Sequence, residues 1–168
     1  MIIAIWSVLC ILLIFDMREN RLPNKLIGLL LLLCVLELEL VYGGLYLVPS
    51  SHILGFVIGF SAGLILYTMK VMAAGDVKLI SVLCLYVGIQ DLVPFYATIF
   101  ISGTVFVVFY GLSYIATSDQ TVVQWMSGYV DTNVKSRLLR SYSRPIVVYR
   151  MPLAPAIVFG FLLYPLTF

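Results

Sequence analysis

The chain has 168 residues, 62% of them hydrophobic and 11% charged, with a net charge of +2 and a mean hydropathy of +1.11. Soluble domains carry about 25% charged residues, so this composition excludes an ordinary water-soluble fold and predicts an all-α polytopic membrane protein. Neither a nucleotide-binding loop nor a cluster of metal-ligand residues occurs, so no cofactor, no metal and no nucleic-acid partner is expected.

About 20 apolar residues cross a hydrocarbon core. On that measure six transmembrane helices are predicted, over roughly 1–15, 26–47, 53–70, 77–93, 95–117 and 151–168. They make one integral membrane domain spanning 1–168. The first run has no basic residue ahead of its apolar stretch and no small-x-small site before Asp16, so it is expected to stay as a helix rather than be cleaved. Cys10, Cys34 and Cys84 fall inside spans without paired spacing, which points to packing rather than to zinc or disulfides.

Arg18, Arg21 and Lys25 lie between the first two spans, Lys70 and Lys78 between the third and fourth, and Lys135, Arg137, Arg140, Arg144 and Arg150 between the last two. These are all ten Lys and Arg residues of the chain, and six spans put every one on the same side. Cytoplasmic loops collect such charge, so short cytoplasmic loops and both termini outside are expected. The segment 118–150 is too short for a core of its own. Its apolar residues Trp125, Met126, Leu138 and Leu139 interleave with charges, so it reads either as a positive-inside loop or as a helix lying along the headgroups.

An ionisable residue at membrane depth is costly and normally marks a protein-facing or functional position. Glu37 and Glu39 cannot share one helix face, and interfacial snorkelling toward the outer surface or a loosened helix end is expected of them. Asp91 in an outer turn, and Asp119 and Asp131 in the basic segment, are expected to be solvated. Asp16 and Asp76 differ from these. Asp16 ends a first span of only about 22 Å at 1.5 Å per residue, against a core of about 30 Å, and Asp76 begins the fourth span on the same side. Two carboxylates from different helices can then meet at one depth. Bland roles are available to both: Asp76 as the N-cap of a helix starting at Val77, with Gly75 supplying an unusual turn angle, and Asp16 as the ion-pair partner of Arg18, Arg21 or Lys25.

The stretches "DMRENRLPNKL" (16–26) and "GDVKL" (75–79) resemble the two signatures of the bacterial type IV prepilin peptidases, intramembrane aspartic proteases of the GxGD type. "YRMPLAPAIVFG" (149–160) resembles the last helix of that family. Ala73 stands where the family's first motif glycine would be. The resemblance implies that Asp16 and Asp76 are catalytic, with Gly75, Lys78, Pro23 and Asn24 as supporting loop and motif residues. It implies a bacterial inner-membrane enzyme that cuts the short basic leader of a prepilin at the cytoplasmic face, with the prepilin peptide and the lipid bilayer as partners. Larger relatives carry a Cys-x-x-Cys insert between the first helices and also methylate the new N-terminus. This chain has about ten residues there and no such cysteines, so it resembles the minimal form linked to Flp, or tight-adherence, pili, without methyl transfer.

Two carboxylates in contact hold one proton between them. Asp16 near a helix C-terminus and Asp76 at an N-terminus are predicted from the helix dipole to be acid and base respectively, with Lys78 adding to that bias. Pro23 is expected to break the loop, Asn24 to cap the second helix, Pro152 to suit the first turn of the last helix, and Pro155 to remove an amide beside the site. The other readings are a non-catalytic membrane subunit of a pilus or secretion apparatus and a small proton-coupled transporter. The transporter would place its carboxylates nearer mid-membrane, between internal repeats.

Overall fold

The computed structural model describes residues 2–19, 22–69, 72–117 and 153–167. Among these the structure is helical throughout: α1 Ile2–Glu19, α2 Asn24–Tyr42, a 3-10 turn at Leu45–Leu47, α3 Ser50–Thr68, α4 Ala74–Val87, α5 Leu92–Thr117 and α6 Ala154–Thr167. The expected segment 118–150, with Asp119 and Asp131, lies outside the described residues, as do Arg21, Lys70 and Pro152.

Among the described residues, two helices are long and apolar enough to cross a membrane, Ser50–Thr68 and, within α5, Leu92–Ser113. By contrast α4 and α6 have 14 residues each, about 21 Å at 1.5 Å per residue. The fourth predicted span therefore begins three residues earlier and ends six earlier than expected. Its end is set by Gly88 at φ +82, a conformation that glycine adopts freely. Likewise α2 stops at Tyr42 because Gly43, at φ +76, turns the chain into the 3-10 segment that the sequence reading had joined to the helix.

The chain divides into two units, Met1–Gly103 with Met151–Phe168, and Thr104–Arg150. In the second, the described residues form the later part of α5, where Val105, Val107, Val108, Phe109 and Leu112 are exposed. The first unit holds the core. Leu9 and Leu12 of α1, Leu30 and Cys34 of α2, Leu79, Leu83 and Cys84 of α4, Phe95 of α5 and Ile157 of α6 are essentially inaccessible. Outward faces of α1, α2, α3 and α5 carry Ile14, Leu32, Leu40, Ile53, Ile65 and Phe100, a distribution that suits lipid rather than water.

The most extensive helix pair is α3 with α4, and small residues make it possible. Gly55, Gly59 and Gly63 recur every four residues and form the buried face of α3. A Cβ on Gly55 would come within 2.6 Å of the Cys84 carbonyl oxygen, one on Gly59 within 2.6 Å of Cys84 Sγ, and one on Gly63 within 2.8 Å of Val77 Cγ1. Such spacing allows backbones to approach closely in membrane helices. At the Gly88 end, His52 is pinned by Tyr42 Oη at 3.0 Å and the Leu85 carbonyl oxygen at 2.9 Å, and the Ile89 amide donates to the Ser51 carbonyl at 3.0 Å. These contacts fix α4 against α3, and so fix where α4 begins.

Glu37 departs from expectation. It continues the buried stripe of Ile27, Leu30 and Cys34 on α2 and is 9% exposed, so it faces the protein rather than snorkelling outward. Glu39 is half-buried, and Asp91 is exposed as expected.

Candidate active site

Asp16 is placed by the periodicity of α1. Ile5, Leu9, Leu12 and Asp16 are spaced four, three and four apart and are all buried, which is one face of a helix. Helix α1 continues to Glu19, so Asp16 sits in its last turns rather than after it. Its neighbours Met17, Arg18 and Glu19 point away and are exposed, whereas Asp16 is 5% exposed.

Asp76 lies in the first turn of α4, also at 5% exposure, on the face that continues through Leu79, Ile80 and Leu83. The helix starts at Ala74 and its N-cap is Ala73, so Asp76 is not the cap. Ala73 has φ −80° and ψ 152°, ordinary extended backbone that alanine adopts as readily as glycine. Gly75 is likewise not one of the positive-φ glycines. It is small because the α1–α2 loop presses on it, and a Cβ there would lie 3.0 Å from Leu22 Cβ and 3.3 Å from Leu22 Cδ1.

The remaining motif residues tie that loop to α4. Pro23, extended at φ −68° and ψ 124°, is the N-cap of α2, and its carbonyl oxygen accepts from the amides of Leu26 and Ile27. Asn24 is the first residue of α2 and makes no cap. Its Oδ1 instead accepts a hydrogen bond from Lys78 Nζ at 2.9 Å. Lys78 is therefore engaged with Asn24, which links the two motifs.

The polar partner of Asp16 is one that sequence reasoning missed. The backbone N–H of Ala154, first residue of α6, donates to Asp16 Oδ2 at 3.0 Å. The first amides of a helix have no partner within it and carry the positive end of its dipole. Pro155 follows directly and is fully buried. It removes one of those amides at no cost in hydrogen bonding and leaves Ala154 as a donor. A proline-flanked helix start was a legible signal, but nothing in the chain's order says that its amide meets a residue 138 positions away.

Asp16 lies in the last turns of α1 and Asp76 in the first turn of α4, outside the two helices long and apolar enough to cross a membrane. Burial raises the pKa of Asp16, and the Ala154 hydrogen bond opposes that rise. Burial raises Asp76 further, to about 7, the nearby charge of Asp16 adds to it, and a hydrogen bond from the Ala73 backbone opposes it. The charge of Asp16 is thus felt at Asp76.

Residues 2–112 match the family model described as the type IV leader peptidase family. The matched segment contains Asp16, Pro23, Asn24, Gly75, Asp76 and Lys78, and it stops short of α6. No curated protein and no solved structure matches the chain. The chain belongs to the type IV leader peptidase family, a family of membrane-associated peptidases.

Proposed function

We propose that the protein is a prepilin leader peptidase of the aspartic type, a multi-pass protein of the bacterial inner membrane with Asp16 and Asp76 as its catalytic pair. The observation that supports this reading is two carboxyls, one on α1 and one on α4, both buried and with the charge of Asp16 felt at Asp76. Asp16, which accepts the Ala154 amide, is the base. It takes a proton from water as the water oxygen bonds to the scissile carbonyl carbon. Asp76 carries the proton of the pair and donates it to the carbonyl oxygen, which would otherwise become an oxyanion. Collapse of the tetrahedral intermediate returns that proton to Asp76, and the proton on Asp16 passes to the departing amine.

The substrate is a prepilin of the Flp type with a short basic leader, cut at the cytoplasmic face ahead of its hydrophobic helix. The expected topology, six spans with both termini outside, supports a pair at that face. The short α1–α2 connection, without Cys-x-x-Cys pairs, supports proteolysis without methyl transfer. Co-expression with a Flp-type prepilin tests the reading: the leader is removed by the wild-type chain and retained with Asp16→Asn or Asp76→Asn. Undiminished cleavage by both variants rejects it. Labelled methyl groups from S-adenosylmethionine appearing on the product would reject the narrower assignment.

A further inference from the structure

Ser102, on α5, is 4% exposed, and its Oγ has no hydrogen-bond partner among the described residues. Other helix hydroxyls behave differently. Ser61, Ser81 and Thr98 each donate to a backbone carbonyl three or four residues earlier, at 2.7, 2.6 and 2.8 Å. Thr98 lies one turn before Ser102 on the same buried face. A buried hydroxyl without a partner costs stability, and such a group in a folded protein calls for an explanation.

The register of α5 gives one. Cys84 of α4 meets the Tyr96 hydroxyl, and Phe161 of α6 packs on both Tyr86 and Phe95. Gly160 abuts Ile99, and Gly103 lies beside Ala156. Helix α5 therefore runs opposite to both α4 and α6. Counting from these contacts, Ser102 lies level with Lys78 on α4 and Ile157 on α6. That is two or three residues, about 3–4.5 Å at 1.5 Å per residue, beyond the level of Asp76 and the Ala154 amide, toward the apolar interior.

A peptide cut at the carboxyl pair must lie extended there, and its backbone groups on the apolar side cannot be satisfied by lipid. One extended residue covers about 3.3 Å, so the level of Ser102 corresponds to the residue just past the scissile bond. We infer that Ser102 is a substrate-binding residue whose hydroxyl hydrogen-bonds the peptide backbone immediately on the membrane side of the bond that is cut. This rests on the peptidase reading of Asp16 and Asp76. The unpaired hydroxyl of the free protein is then a stability cost that substrate binding removes.

The test uses the purified full chain in proteoliposomes and a synthetic peptide with a short basic leader, a glycine and an apolar helix. Cleavage kinetics and thermal unfolding are measured for wild type and Ser102→Ala, with Asp76→Asn as the inactive control. The expected result is a kcat/KM about tenfold lower for Ser102→Ala, the size of one lost hydrogen bond, with an unchanged or higher melting temperature. A purely structural serine would lose activity and stability together. Unchanged kcat/KM, or a loss accompanied by a lower melting temperature, overturns the inference. If the alanine variant does not purify folded, Ser102→Cys, similar in size and a weak donor, is read by the same criteria. A wild-type chain that leaves the peptide intact would instead overturn the peptidase reading, which separates the two failures.

Discussion

Lys78 Nζ donates to Asn24 Oδ1 at 2.9 Å across 54 positions of sequence, so the two motif segments are joined directly rather than merely placed side by side. Together with Leu22 pressed against Gly75, this hydrogen bond sets the α1–α2 loop on the first turn of α4, the turn that carries Asp76.

A double-mutant cycle on Asn24→Ala and Lys78→Met measures that link. The pair is solvent-exposed, so its coupling energy in unfolding is expected to be small, about 0.5 kcal/mol. The coupling in cleavage rate should be larger, because both substitutions release the same loop. Additive effects on rate would show that the two side chains act separately.

Gly75→Ala is expected to reduce cleavage severalfold by pushing Leu22 away, since the backbone angle itself suits alanine. Leu22→Ala in the same chain should restore most of the loss by making room for the new methyl group. If the double variant is no better than Gly75→Ala alone, the requirement at position 75 is not the contact with Leu22.

Asp76 makes stability depend on pH. Its carboxyl is raised from the ordinary 3.8 to about 7, so between those values the folded chain keeps a proton that the unfolded chain releases. This contribution is fully present below pH 4 and is lost as pH rises through 7. Asp76→Asn cannot titrate. It is expected to melt about 2–5 °C above wild type at pH 8, with the difference shrinking toward pH 5. A difference that is constant across this range would contradict the raised pKa.

Ala154→Pro removes one N–H at a helix position that accepts proline. Losing the donor to Asp16 raises the pKa of Asp16 further, so the acidic limb of the kcat/KM profile should move to higher pH. The basic limb, governed by the proton on Asp76, should stay near 7. Movement of the basic limb alone would exchange the roles of the two carboxyls.

Glycines in this chain should separate by what lies opposite them. Gly55→Ala is expected to destabilise by about 2 kcal/mol or more, because a Cβ there meets the backbone of Cys84 and Gly88, which cannot rotate away. Gly28, in α2, has nothing within 4 Å, so Gly28→Ala should stabilise by up to about 1 kcal/mol. Thermal unfolding of both variants checks the contrast.

What the residue order determined by itself is the solvent, the helical class and the identity of the motif residues. Apolar runs too long for water, and carboxyls too costly to bury without purpose, are local properties that need no fold to be recognised. Asp16 and Asp76 stood out on those grounds, and family membership followed from the residues around them. Tertiary structure decided how those residues are used. Gly75 is small because Leu22 packs on it, Asn24 receives Lys78 instead of capping α2, Glu37 turns inward, and the Ala154 amide reaches Asp16 from α6. Each of these depends on a contact between segments distant in the chain. Propensity and dipole act within one helix, whereas burial and a hydrogen bond from another helix are set only once the helices have packed.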